Sequence, residues 1–136
     1  MKYVVAGKSD QIVNEKHVVM KAGDVIIVPP GMYHYKMDNE TTDDLIEYSL
    51  RFSLKKPLDN ASAYQVKSYE ALSSLLSKIT YVKDPKFELM PFFESMFTEI
   101  EEKDYGFFDV LQSCCQSILI RLIRLSGIPP KNIFKS

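Results

Sequence analysis

Two histidines, His17 and His34, are the only imidazoles in this chain of 136 residues. Imidazole changes charge near neutral pH, which suits it to proton transfer and to metal binding. His34 follows the turn-forming residues Pro29, Pro30 and Gly31, and two interpretations are open for it: contact with a ligand, or a buried ring bonded to a backbone carbonyl. His17 is expected on a strand near a turn, where a lone histidine is more often a surface or satisfied side chain than a metal ligand.

Metal chemistry has little support in the sequence, because no second imidazole or carboxylate stands at ligand spacing from His34. The nearest carboxylates, Asp24 and Asp38, flank predicted strands at turn positions that suit backbone capping. One imidazole cannot compete with water for a divalent ion, so we expect no metal and no other cofactor. The adjacent Cys114 and Cys115 suit neither an ordinary disulfide nor a zinc quartet, and are expected to be reduced thiols.

Tyr3, Tyr48 and Arg51 add polar groups on predicted strands. A hydroxyl on an apolar wall suits contact with a small ligand, so His34, Tyr3 and Tyr48 are the candidate ligand-binding residues, with core packing as the alternative for both tyrosines. Arg51 would indicate an anionic ligand if it pointed inward, because a guanidinium binds a carboxylate through two parallel hydrogen bonds. Its place on the polar side of an alternating strand favours the surface instead.

Composition limits the classes of protein to which the chain can belong. Its 136 residues fit one domain, and 46% hydrophobic with 26% charged residues is typical of a globular protein. The net charge of -1 lacks the positive field of a self-sufficient DNA-binding protein. No apolar run approaches the ~18 residues of a membrane span, and no leader is apparent, so we expect the cytoplasm and no membrane partner.

Short β-branched and aromatic stretches between turn formers predict six strands in the first half, at 3–6, 11–13, 17–20, 25–28, 33–37 and 45–52. In the last of these, Ile46, Tyr48, Leu50 and Phe52 alternate with polar residues, so one face must be buried. The spacing of the strands indicates a small barrel or sandwich. The fold class is therefore mainly β (α+β), with helices in the second half.

The apolar period changes near residue 60, and helices are predicted over 68–78, 85–103 and 107–125. Ser68 is the expected N-cap of the first, and Asp84 with Pro85 the expected start of the second. Gly106 and Gly127 bracket the third. The predicted regions are a β-region at 1–58, a helical region at 59–127, and the start of a linker at 128–136.

The third predicted helix is too apolar for one contact face, so a second copy of the chain is expected to cover the surplus. This predicts a homodimer. The candidate interface residues are large aliphatic side chains of this helix: Leu111, Ile118, Leu119, Leu122 and Ile123.

The sequence from Gly23 to His34 resembles the second motif of the cupin superfamily, which is a glycine, five residues, then P-x-G-x-x-H. Asp38 stands where an asparagine usually closes the motif. The sequence Tyr-Val-Val-Ala-Gly ending at Gly7 looks like the end of the first motif, and fifteen residues separate Gly7 from Gly23. The resemblance implies a cupin-type jelly-roll barrel followed by C-terminal helices. The other three usual metal ligands would fall before Met1.

The chain as a whole is similar to the sensory domain of AraC-type bacterial transcription regulators, with Phe52 as the aromatic residue that closes the barrel. The resemblance implies a domain that binds a small-molecule effector such as a sugar, dimerises through its helices, and controls DNA binding by a helix-turn-helix module. Only nine residues follow Gly127, so that module is expected in a longer parent protein. A non-enzymatic role is expected, because cupin catalysis needs the full metal cluster. The alternative is a stand-alone cupin enzyme that acts on a small sugar or an organic acid.

Overall fold

The computed structural model describes residues 1–127, and its first half forms short antiparallel strands. The seven strands are β1 Lys2–Ala6, β2 Lys8–Val13, β3 Lys16–Lys21, β4 Asp24–Ile27, β5 His34–Met37, β6 Ile46–Ser49 and β7 Thr80–Lys83. They form a four-stranded sheet in the order β6-β1-β4-β7 and a three-stranded sheet in the order β3-β2-β5. No strand pairing joins the two sheets within residues 1–127, so the mixed α+β prediction is confirmed while a closed jelly-roll barrel is not.

The tight hairpin between β2 and β3 sets the register of the smaller sheet. Asn14 and Glu15 both have positive φ, 49° and 69°, as a two-residue turn of the primed type requires. This turn places Ile12 opposite His17 and Asp10 opposite Val19. The sequence correctly placed the turn because its residue types carry the signal locally.

The four-stranded sheet is covered on both faces, since successive residues of a strand point in opposite directions. Val4 and Ile26 belong to a small core with Val13 and Met20, which lies between the two sheets. Tyr3 belongs to a larger core on the opposite face. The chain therefore builds three layers: a small sheet, a larger sheet, and helices.

Three helices form the third layer: α1 Ala63–Leu76, α2 Met90–Glu102 and α3 Phe107–Ser126. Fully buried Leu75, Leu89, Ile118 and Leu122 supply most of the helical side of the larger core. Gly106 and Gly127 flank α3 in the left-handed conformation, as predicted from their positions. None of the helices described in 1–127 is long and apolar enough to cross a bilayer.

Two predicted helix starts are wrong. Helix α1 begins earlier, because Ser62 and Gln65 form a reciprocal capping box that outcompetes Ser68 as the N-cap. Helix α2 begins later, at Met90, and the residues after Asp84 form a turn in which Phe87 has a φ of 54°. Asp84 stabilises this turn from inside the protein instead of capping α2.

Strand β7 is absent from the sequence prediction, and β6 is shorter than predicted. The four residues of β7 pair with β4, which lies more than fifty positions earlier in the chain. The residue pattern around β7 therefore did not indicate a strand. Strand β6 ends at Ser49, although Leu50 and Phe52 still pack against the larger core. The side chain of Glu47 is only 9% exposed, because the supposed polar face of β6 turns towards the smaller sheet. The predicted linker at 128–136 lies outside the described residues.

Candidate functional site

A half-open cavity of about 660 Å³ lies beside His34. Its walls come from the end of β4, the turn after it, the segment that follows β6, and one side of α1. A volume of this size fits a small organic molecule. Apolar side chains form much of the lining, among them Ile26, Val28, Leu50, Phe52 and Leu76.

Local backbone geometry explains how His34 reaches the cavity. Gly31 adopts a φ of 81°, which a side chain would disfavour, and Met32 N donates to Pro29 O within the same turn. The turn returns the chain to β5, where His34 is paired with Val13 of β2. His34 lines the cavity but stays exposed to solvent, so the interpretation as a buried ring is wrong.

The cavity has a positive electrostatic character. Lys2 and Arg51 line it together with His34, and no aspartate or glutamate among residues 1–127 does. Loss of solvation at the cavity wall, followed by the charge of Lys2, holds the pKa of His34 below its ordinary value of 6.5. His34 is therefore largely neutral at pH 7, and an anion bound beside it would favour the protonated ring.

Lys2 and Arg51 differ in how far their charge is already neutralised. Lys2 Nζ lies 3.6 Å from Glu47 Oε1, and Lys36 approaches the same carboxylate at 3.8 Å. Within residues 1–127 no ion pair is formed by Arg51, whose side chain is exposed at the cavity. Arg51 is exposed, as its place on the polar side of the strand predicted, and it also lines the cavity, where it can meet an incoming anion.

Tyr3 and Tyr48, the other two predicted ligand contacts, pack in the larger core and are not among the residues that line the cavity. Their rings are 6.4 Å apart, and both pack against Phe93 of α2. Tyr3 is fully buried and its hydroxyl donates to Asp84 Oδ2 at 2.8 Å. Burial, and then the hydrogen bond to Asp84, raise the pKa of Tyr3 well above its usual value. The alternative of core packing is the one that the structure shows for both tyrosines.

The predicted interface residues of α3 are mostly internal. Ile118 and Leu122 are 0% exposed and Leu119 is 5% exposed, all within the core of one chain. Their burial comes from the sheet and from the other helices, so they cannot contact a second chain in this fold. Leu111 and Ile123 are partly exposed. The surplus of apolar residues on α3 is thus explained mainly by packing within the chain.

The sequence analysis missed a group of three potential metal ligands, Asp10, His17 and Glu40. They lie on the outer face of the smaller sheet, away from the cavity beside His34. The hairpin register was the one available signal, because it places His17 diagonally opposite Asp10. Nothing local could have placed Glu40, which arrives from the segment after β5.

The two cysteines are free, as predicted. Cys114 is buried and Cys115 is partly buried on α3. Burial raises the pKa of both thiols above the ordinary value. A raised thiol pKa lowers the fraction of nucleophilic thiolate at neutral pH.

Residues 1–49 match the family model described as Cupin domain. The match covers β1 to β6 and includes both motif-like segments, which supports a cupin-like domain in this part of the chain. Searches of curated proteins and of solved structures give no match. The metal centre typical of cupins needs several donors around the motif histidine, and within residues 1–127 His34 belongs to no group of three potential ligands. The described residues therefore do not form that centre.

Proposed function

We propose that this chain is a sensory domain that binds a small anionic molecule in the cavity beside His34. The observation that carries the proposal is the composition of that cavity: apolar walls, two basic side chains and an imidazole, with no acidic side chain from the described part of the chain. Such a lining suits an organic carboxylate, whose hydrocarbon part contacts the apolar wall while Arg51 binds the charged group.

The position of the cavity supports sensing, because its wall combines the sheet with a helix. Ser73 and Leu76 of α1 line the cavity together with residues of the first half of the chain. Leu75, on the same turn of α1, is fully buried in the core that α3 also enters. A ligand that prefers one placement of α1 would shift the population of helix arrangements, which is how binding is transmitted to a distant site.

The parent protein that best suits this design is an AraC-type transcription regulator, in which the cupin-like domain controls a helix-turn-helix module. The grounds for this assignment are the motif resemblance and the helices packed beside the sheet, whereas the family match supports the cupin-like domain alone. The parent reading frame tests it. A helix-turn-helix pair directly after Ser136 is the expected result, whereas a stop codon there, together with a bound metal that His34→Ala removes, would favour the cupin enzyme.

A homodimer remains part of the proposal, with an interface other than the buried residues of α3. Exposed apolar side chains lie near the connection between α2 and α3, among them Phe97, Ile100 and Phe108. Light scattering across a dilution series tests the association. A mass that stays at 15.6 kDa at high micromolar concentration contradicts the homodimer.

Binding of matched pairs of charged and uncharged compounds tests the cavity directly. Octanoate and benzoate serve as probes, each compared with its own amide by isothermal titration calorimetry. We expect the carboxylates to bind more tightly, and Arg51→Gln to weaken their binding by about tenfold, which corresponds to ~1.4 kcal/mol. The control is Arg124→Gln, an exposed arginine on α3 that does not line the cavity.

The pH dependence provides a second test of the same site. Because the pKa of His34 is depressed in the free protein, an anion beside the ring should raise it and bind more tightly as the pH falls towards that pKa. His34→Gln should remove this pH dependence. Equal affinity for carboxylates and amides, or no effect of Arg51→Gln, would contradict anion recognition.

A further inference from the structure

The group Asp10, His17 and Glu40 joins three separate parts of the chain at one point. Asp10 lies on β2, His17 lies on β3, and Glu40 lies in the segment after β5. His17 Nε2 contacts Asp10 Oδ1 directly and lies 3.8 Å from Glu40 Oε2. The three donor atoms all lie within 4.8 Å of one another.

The backbone around this group is already organised by hydrogen bonds. Glu40 N donates to Asp10 Oδ2 at 3.2 Å, and Asp10 N donates to Thr41 Oγ1 at 3.0 Å. Lys8 and Thr42 extend this connection along β2 through two further hydrogen bonds. The segment that carries Glu40 is thus attached to β2, and only its exposed side chain has to turn to bring its carboxylate closer to the other two donors.

Three potential ligand groups converge on one point, and one of them, the Asp10 carboxylate, is buried there. A neutral imidazole offers one N–H at Nε2, whereas carboxylate oxygens of both Asp10 and Glu40 face that nitrogen. Asp10 is 1% exposed, so solvent has little access to its charge. One imidazole nitrogen and two carboxylate oxygens thus lie close enough to donate electron pairs to a single divalent cation.

We propose that Asp10, His17 and Glu40 bind a divalent transition-metal ion of the Zn²⁺ type. One imidazole with two carboxylates is a donor set that favours zinc and its neighbours over calcium or magnesium, which prefer all-oxygen sites. Ligand atoms of tetrahedral zinc lie about 3.3–3.6 Å apart, given bond lengths of 2.0–2.2 Å, so small side-chain rotations suffice. The ion would clamp the segment after β5 onto the β2–β3 hairpin, and its role would be structural, independent of the ligand cavity.

Titration with Zn²⁺ tests the proposal on protein that has first been dialysed against a chelator. We expect one ion per chain by calorimetry, with affinity lowered about tenfold or more by His17→Ala and by Glu40→Gln, because even changes to residues that only support metal ligands cost about 10- to 100-fold. Both side chains are exposed at the surface, so these variants should fold even if Asp10→Asn does not. Asp43→Asn is the matched control, an exposed carboxylate in the same segment but outside the group.

Amide hydrogen exchange locates the ion independently. Zn²⁺ should slow exchange at Glu40 N–H, which is bonded to Asp10, in the wild-type chain but not in His17→Ala. Three outcomes overturn the proposal: no Zn²⁺ binding by the wild-type chain, binding that His17→Ala leaves unchanged, or binding that His34→Ala abolishes while His17→Ala does not.

Discussion

Replacement of Asp84 by alanine should lower the free energy of unfolding more than its position in a connecting turn suggests. Asp84 is 0% exposed and follows β7 directly. Its Oδ2 accepts hydrogen bonds from the Tyr3 hydroxyl at 2.8 Å and from Leu89 N at 3.0 Å, and its Oδ1 accepts one from Glu88 N at 2.8 Å. One carboxylate therefore connects β1, β7 and the start of α2.

The size of the loss in unfolding free energy follows from the hydrogen bonds that Asp84→Ala removes and from the groups that it leaves without a partner. A hydrogen bond to a charged group contributes about 1.5–3 kcal/mol, and a buried polar group that loses its partner costs about 1–3 kcal/mol. Asp84→Ala removes three such bonds and leaves the buried Tyr3 hydroxyl without its acceptor. The energies of the separate bonds do not add up to the total loss. We expect a loss of about 3–5 kcal/mol, a large part of the ~5–15 kcal/mol that stabilises a typical domain.

Urea denaturation followed by far-ultraviolet circular dichroism measures this loss. Tyr3→Phe, which removes one donor and leaves Asp84 with two, should cost about 1–2 kcal/mol. The double variant should be less destabilised than the sum of the single ones, because the two groups share one bond. The control is Asp43→Ala at an exposed position, with an expected change of at most about 0.5 kcal/mol. A loss below about 1 kcal/mol for Asp84→Ala would refute the reasoning.

Two further predictions concern the same core. Because the pKa of Tyr3 is raised in the folded state, the unfolded chain loses this proton first, so stability should fall above about pH 10 by up to ~1.4 kcal/mol per pH unit. Tyr3→Phe should reduce that slope, whereas Tyr105→Phe, at a fully exposed tyrosine, should not. Equal slopes for the two variants in urea denaturation at several pH values would contradict this prediction. Leu122→Glu should unfold the chain rather than dissociate a dimer, because it buries a charge in place of a side chain that is 0% exposed. Leu58→Glu is the exposed control, and a folded Leu122→Glu monomer by circular dichroism and light scattering would show that α3 packs differently.

Local signals in the sequence placed most of the secondary structure. The six strands predicted in the first half are present, and the hairpin turn at Asn14 and Glu15 lies in the gap between the strands predicted at 11–13 and 17–20. The motif-like segment from Gly23 to His34 predicted a cupin-like domain, which the family match over 1–49 supports. These features depend on neighbours within a few residues, so one chain segment contains all the information they need.

The tertiary structure alone decided which residues share a site. The sequence predicts that Tyr3 and His34 face the same cavity. In the structure His34 lines the cavity, whereas Tyr3 is packed in the larger core. Alternation along a strand shows that two faces differ and does not show which face meets helices and which meets another sheet.

Long-range contacts likewise created the polar centres that the sequence did not reveal. Asp84 bonds to a hydroxyl 81 positions away, and Glu40 approaches His17 only after β5 has folded back onto β2. The sequence determined the types of side chain and the local paths of the backbone. Strand pairing and the packing of layers decided which of these side chains meet. Burial of apolar area depends on the whole chain at once, so it cannot be predicted from the residue type at a single position.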